Sequence, residues 1–305
     1  MITPAMQSLS RSQAAKIGLC MLSWRAPETI KKTLSALTLL DSHIFSDRLI
    51  FFQEISEADR AVAAQYGMRA VGNNRNLGIR EGIKSAVANC QADLVLFLEC
   101  DCLQLESLAV AEAQISCAAH YIADQRLHVC RLRHTQRPGE DYSGYRKFLR
   151  YWPSIQEARQ SQRLVCAVRR LLRPWKATRL IGQAVMDSHE AHRRFPQWIE
   201  KIECGLMRMN SRVIPWTNQS ILVDKSWFLE TLLPYAETHP RSQLLNGFPY
   251  LEPELNCRWW RRQEFKVGQS LPGIFTHHRL DRPVGDQKTL IHEKVADERQ
   301  VLLAK

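Results

Sequence analysis

The sequence predicts an α/β protein built around a mostly parallel, doubly wound sheet. Three observations carry that prediction. Strand and helix signals alternate through the first 130 residues. The segments between strands repeat apolar residues at helical spacing, as in Ile79, Ile83 and Val87. One strand, Leu94 to Leu98, is wholly apolar and bounded by charge on both sides. This rhythm implies parallel strands joined by right-handed crossovers, with helices on both faces.

Each element has a local reason. Ile17 to Leu22 is a short apolar strand. Pro27 stands where a helix can begin, because its fixed φ suits a first turn and its missing N–H leaves no bond unmade there. Ile30, Leu34 and Leu37 then share a helical face. Leu49 to Phe52 is a second strand, and Glu57 to Tyr66 reads as a helix ended by Gly67. Met68 to Val71 is a third strand, and residues 74–78 form a turn before the next helix. Near the end, Ile221 to Val223 is a short strand, and Ser226 caps a helix running to Leu233. Glu252 to Arg262 reads as a helix, and Phe265 to Val267 as a strand. Internal repeats and low-complexity tracts are absent from the sequence.

The 305 residues are 45% hydrophobic, enough for one large core or two modest ones. Lys and Arg total 42 against 31 Asp and Glu, a net charge of +11. That balance suits a nucleotide, a phosphorylated glycan, an acidic membrane surface or a nucleic acid, without choosing among them. The nine cysteines, at 20, 90, 100, 102, 117, 130, 166, 204 and 257, are odd in number and irregular. They read as reduced core residues of a cytosolic protein. Cys100-x-Cys102 by itself is a weak zinc signal. Residues 1–16 hold no continuous apolar stretch of the signal-peptide kind. No apolar run approaches the roughly 20 residues that span a bilayer. The expectation is a cytoplasmic protein with, at most, peripheral contact at the inner face of a membrane.

Residues 131–215 differ in character. They concentrate Arg131, Arg133, Arg137, Tyr142, Tyr145, Arg146, Lys147, Arg150, Tyr151 and Trp152, then Arg169, Arg170, Arg173, Trp175, Lys176 and Arg179. Val165, Val168, Leu171 and Leu172 mark a basic amphipathic helix between Gln160 and Arg173. Two readings stay open: a solvated helical layer over the sheet, or a surface for an anionic acceptor or membrane headgroups. The expected organisation is one catalytic domain, 1–305. Its donor-binding half would be 15–130, its basic, largely helical insertion 131–215, and its acceptor-binding half with C-terminal tail 216–305.

The chemistry-bearing residues cluster at strand ends. Glu99 and Asp101 follow the apolar strand two residues apart, so in extended chain they share a side. They can point into the crevice beyond the strand's carboxyl end, where open α/β sheets bind ligands. Two carboxylates there suit Mg²⁺ or Mn²⁺; a plain charged turn is the alternative. Leu251-Glu252-Pro253-Glu254 has acids and a proline that also fit an ordinary helix N-terminus. Phe275-Thr276-His277-His278 offers imidazole, a fair Mn²⁺ ligand, or a polar turn. Asn76 and Arg80 lie near a helix start, whose amides and dipole suit phosphate. Ser23, Arg25 and Glu54 follow the first two strands, and Trp216 precedes the strand at Ile221.

Residues 17–101 resemble the family 2 glycosyltransferases, inverting enzymes with a GT-A fold. The likeness rests on Ile17-Gly-Leu-Cys-Met-Leu-Ser-Trp-Arg-Ala-Pro-Glu28 with Thr33-Leu34-x-x-Leu37, on Asn76-Leu77-Gly78-Ile79, and on Glu99-Cys100-Asp101 in place of the DxD motif. Leu251-Glu-Pro-Glu-Leu-Asn-Cys-Arg258 is similar to the family's Glu-Asp-x-Asp-Leu-x-x-Arg motif. The resemblance implies Asp101 as metal ligand, with Glu99 and His277 as further ligands, His277 preferred to His278. It implies Ser23, Arg25, Glu54, Asn76, Arg80, Glu99 and Asp101 around a nucleotide-diphosphate sugar. It implies Glu252 as the base, and Trp216, Glu254 and Arg258 on the acceptor side. Glu at the first acid position departs from the family and weakens Glu99 as a direct ligand.

The function so implied is metal-assisted transfer of a sugar to a hydroxyl of a glycan or glycolipid, for which lipopolysaccharide or capsule intermediates fit the charge. Nucleic acid is not an expected partner. A sugar-phosphate nucleotidyltransferase is the nearest rival, but Leu22-Ser-Trp-Arg-Ala-Pro27 lacks the glycine-rich phosphate loop such an enzyme carries. A non-catalytic basic module on a degenerate transferase fold is the other.

Overall fold

The structure, a computed structural model, describes residues 15–139, 143–154 and 160–277. Four strands begin it: β1 (Ile17–Trp24), β2 (Phe45–Gln53), β3 (Arg69–Gly72) and β4 (Leu94–Glu99). They lie in the order β3-β2-β1-β4, all parallel. The strand β5 (Cys102–Gln104) then leaves the sheet. Next come β6 (Val129–Arg131), β7 (Glu200–Lys201), β8 (Met207–Asn210), β9 (Ile221–Asp224) and β10 (Lys266–Gln269). They extend the sheet from β4 as β9-β6-β10-β8-β7. Among these nine strands only β8 and β9 run against the rest. The sheet is therefore mostly parallel, as the sequence predicts. A last strand, β11 (Phe275–His277), pairs antiparallel with β5 outside it.

Helices cover both faces. On one side α1 (Pro27–Ser35), α2 (Glu57–Gln65) and α4 (Leu108–Ala123) pack on Leu19, Met21, Ile50, Leu96 and Leu98; on the other α3 (Gly78–Asn89) packs on Cys20, Leu22, Phe51 and Phe97. Alternate residues of each strand serve opposite cores, which is why β1 and β4 read as continuous apolar runs. The α4 helix is apolar on several sides, so it shows no stripe in sequence.

The segment 131–215 is bound into this body. It begins on the last residue of β6 and contributes β7 and β8 to the sheet edge. Phe148, Leu180, Ile181, Val185 and Phe195 join the core on the α3 side.

Two local readings are corrected. The helix after β9 is capped by Asp224, not Ser226: the Asp224 carboxylate accepts from Trp227 N–H at 2.8 Å. It also runs past Leu233 to Thr238, through a π turn at Phe228–Leu232. Glu252 to Arg262 is two short helices, Leu251–Leu255 and Arg258–Gln263. Between them the Asn256 side chain accepts from Trp216 N–H at 2.7 Å and donates to Trp216 C=O at 3.1 Å. That amide-to-backbone pairing takes Asn256 out of helical register. Among the described residues no helix is long and apolar enough to cross a membrane.

Candidate active site

The carboxyl ends of β1, β2 and β4 meet along one edge because the three strands are parallel and adjacent. This places Ser23 to Arg25, Gln53 and Glu54, and Glu99 to Asp101 side by side. Glu99 ends β4, and Asp101 sits in the turn between β4 and β5. Thr33 of α1 donates to the Cys100 carbonyl at 2.5 Å and secures that turn.

His277 arrives from 176 residues further along the chain. The β5–β11 pairing sets it opposite Cys102. Its Nε2 lies 3.2 Å from Asp101 Oδ1 and 3.4 Å from Glu99 Oε2. One ligand atom from each of the three falls within 4.8 Å of the others. Burial would lower the His277 pKa, but its bonds to Asp101 and Glu99 outweigh burial and hold it at about 9. His277 Nδ1 is buried and has no hydrogen-bond partner among the described residues. Oxygen and imidazole donors at this spacing fit Mg²⁺ or Mn²⁺. Cys102 stays outside the group; burial pushes its thiol well up and keeps it neutral. His278 and Tyr142 lie outside the described residues.

Gly139 makes the His277 position possible. Its φ is +78°, and a Cβ there would meet the His277 carbonyl oxygen at 2.1 Å. No other residue tolerates both the angle and the approach.

Glu252 lies on the Leu251–Leu255 helix and lines a cavity with Trp216 and Thr217. Thr217 donates to its Oε1 at 3.3 Å. Burial, then the charge of Glu99, raises its pKa above the usual carboxylate value, while the Asn218 amide, Thr217 and Arg131 oppose that. Glu99 therefore acts electrostatically on Glu252 and binds His277, which ties base candidate and metal candidates into one site.

The remaining residues divide. Ser23 is buried at the end of β1. Arg25 is exposed, bonds Glu54, and lies over the Trp24 ring at 5.8 Å. Arg25 and Glu54 both have positive φ, 46° and 59°, at neighbouring strand ends. Asn76 Oδ1 accepts from Gly78 N–H at 2.8 Å and shapes the entry to α3. Arg80 and Glu254, read in sequence as donor and acceptor residues, are joined in an ion pair at 2.8 Å, with Glu254 only 1% exposed. Trp216 is buried, its indole bonded to Asn218, and it packs on Phe228 and Trp260.

A cavity of about 270 Å³ opens beside Glu252, walled by Trp216, Thr217, Lys147, Arg179 and Arg261. A second hollow of about 480 Å³ shares Arg179 and Arg261 and adds Arg258, Arg262 and Trp175. Burial, then the charges of Arg179 and Arg258, lowers the Arg261 pKa. Of these, Arg179 stands out in sequence only as part of the basic segment and Arg258 as an acceptor-side residue, while Arg261 carries no mark there. No role is marked in the sequence for Gln53, whose Oε1 accepts from Leu77 N–H at 2.7 Å, or for Gln219, whose amide lies 3.4 Å from His277 Nε2. A single glutamine carries no spacing signal by which to find it.

No protein-family model matches the chain, and no curated protein does. Solved structures are similar to it in part. Glucosyl-3-phosphoglycerate synthase from Mycobacterium tuberculosis, in complex with Mn²⁺, uridine diphosphate and phosphoglyceric acid, aligns at 12% identity and TM-score 0.48, over 94% of this chain and 78% of that one. The same enzyme with Mg²⁺ and uridine diphosphate aligns at 11% and 0.33, over 41% and 46%. A mannosyltransferase from Pyrobaculum calidifontis, in complex with GDP-mannose and Mn²⁺, aligns at 9% and 0.33, over 44% of each chain. In the last two the chain spans less than half the length of the solved protein.

Proposed function

We propose that the chain is a GT-A-type glycosyltransferase that moves a sugar, with inversion, from a nucleotide-diphosphate donor to a hydroxyl of a glycan or glycolipid. The observation that carries this reading is the meeting of Glu99, Asp101 and His277 at the end of β4, with Glu252 in electrostatic reach. Asp101, His277 and Glu99 would hold Mn²⁺ or Mg²⁺. Bound there, the ion supplies charge neutralisation for a diphosphate leaving group.

The protein's own groups supply the rest. Ser23, Arg25, Glu54 and Asn76 border the donor along the strand ends, and Arg80, held by Glu254 and Glu81, stands at the start of α3 beside them. Glu252 accepts the proton of the acceptor hydroxyl. The acceptor oxygen then bonds to the anomeric carbon as the bond to the diphosphate breaks, and a single displacement inverts that carbon. The raised pKa of Glu252 makes it a stronger base than an exposed glutamate. Lys147, Arg179, Arg258 and Arg261 line the space next to it and favour an anionic acceptor, such as a lipopolysaccharide or capsule intermediate. On this reading 15–130 binds donor, and 216–305 with the basic segment 131–215 binds acceptor. Such an acceptor places the enzyme in the cytoplasm, with the basic segment in peripheral contact with a membrane.

The test is a panel of nucleotide sugars with Mn²⁺ or Mg²⁺, read as donor hydrolysis and as thermal stabilisation. One or more donors should stabilise the protein only with metal, and Asp101→Ala should abolish that. If no sugar nucleotide binds with metal present and Asp101→Ala changes nothing, the reading fails.

A further inference from the structure

Amphipathic helices of globular proteins turn their apolar stripe inward. The Gln160–Leu172 helix is mounted the other way. Leu164, Val165, Val168, Leu171 and Leu172 are 65, 49, 54, 82 and 69% exposed. At about 100° per residue, these five fall in one arc of roughly 120°. The opposite side is fastened to the protein. Cys166 is buried and donates to the Leu149 carbonyl, Arg169 donates to Arg150 C=O at 3.3 Å, and Arg170 donates to Tyr151 C=O at 2.7 Å. Arg170 also lies over the Trp152 ring at 4.7 Å. Beyond Pro174, Trp175 continues the apolar face, 64% exposed.

The charge around this face is of one sign. From 160 to 186 the chain carries Arg163, Arg169, Arg170, Arg173, Lys176 and Arg179, with no Asp or Glu. A second copy docking here would set cations against cations. The chain's own end, 278–305, carries both signs in near balance and offers no net negative charge to match. A bilayer with anionic headgroups matches both properties, since acyl chains accept the leucines and lipid phosphates accept the arginines.

We infer that the Gln160–Leu172 helix and Trp175 lie in the headgroup layer of an anionic membrane. Leu164, Leu171, Leu172 and Trp175 enter the acyl boundary, and Arg163, Arg173 and Lys176 meet lipid phosphates. The inference names the partner and the docking element of the membrane contact proposed above, and rests on that reading of the basic segment. It also gives the second hollow a direction: Trp175 and Arg179 stand at its wall, so the hollow opens beside the membrane face and adjoins the cavity at Glu252.

The experiment floats the full chain with vesicles of phosphatidylcholine alone, or mixed with an equal amount of phosphatidylglycerol. Wild-type protein should float with the anionic vesicles, little with the neutral ones, and progressively less as salt rises. Leu171→Glu with Leu172→Glu should weaken that partitioning at least about tenfold. Arg163→Gln with Arg173→Gln should reduce the preference for anionic vesicles. Both pairs are exposed, so the melting temperature and metal-dependent donor binding should not change, and the transferase reading is tested apart from this one. The inference is overturned if wild-type protein leaves anionic vesicles unbound, or if the leucine variant binds them equally. It is also overturned if wild-type protein ignores vesicles and instead forms a dimer that the leucine variant dissolves.

Discussion

His277 Nε2 lies 3.2 Å from Asp101 Oδ1, although 176 residues separate them in the chain. This contact closes the candidate metal group and sets its response to pH. The folded pKa of His277, about 9, stands above its ordinary 6.5. A group raised on folding stabilises fully below its unfolded pKa and loses that contribution as pH rises through the folded one. With metal removed by chelation, the protein should therefore lose stability between about pH 6.5 and 9. His277→Gln should flatten that slope, with a difference on the order of 1–3 kcal/mol across the window. Melting temperatures of both proteins across the range check it, and parallel curves would remove the His277 contribution.

Glu252 has the same sign of shift for another reason, burial and then the charge of Glu99. Its neutral form is favoured in the folded state, so the ionised form opposes folding at neutral pH. Glu252→Gln should lower turnover by about 10²–10⁴-fold while melting no lower than wild type at pH 7. A variant that is both unstable and inactive would show that the residue holds the fold rather than takes a proton.

Gly139→Ala tests the approach to His277. The added Cβ would stand 2.1 Å from the His277 carbonyl oxygen, at a φ of +78°. A cost of about 1–3 kcal/mol is expected, with loss of the Mn²⁺-dependent rise in melting temperature. Retention of that rise would mean that His277 is not needed for metal.

Arg80 and Glu254 form the buried pair of the site. Removing Arg80 leaves a carboxylate that is 1% exposed without its cation at 2.8 Å. Arg80→Ala should cost about 3–5 kcal/mol, and Arg80→Ala combined with Glu254→Gln should recover much of it. Denaturant titration of both variants measures the coupling, and additive losses would show that the ion pair contributes little.

Much of this architecture was legible in the sequence. The strands at Ile17, Leu49, Met68 and Leu94 stand where their apolar runs placed them, within a few residues at each end. Glu99 ends the fourth strand and Asp101 follows it, but a turn at Cys100 and Asp101, not the extended chain that their spacing suggested, sets their positions. These features are local: a strand buried on both faces must be apolar throughout, and it must end in polar residues where it meets the crevice. The Gln160–Leu172 helix was legible for the same reason.

What local pattern leaves open is which face turns inward and what meets what. The stripe of Leu164, Val168 and Leu171 marks a helix, but only its anchoring through Cys166, Arg169 and Arg170 turns the stripe outward. Glu254 and Arg80 looked like residues for two different ligands until the fold joined them. The sequence by itself determined the alternating sheet and the acids at its edge, because backbone period and burial act over a few residues. Only the tertiary structure decided that His277 closes on Asp101. That contact depends on a two-strand pairing between β5 and β11, and on a glycine at 139 that lets the backbone through. Neither leaves a periodic trace in the residues that it joins.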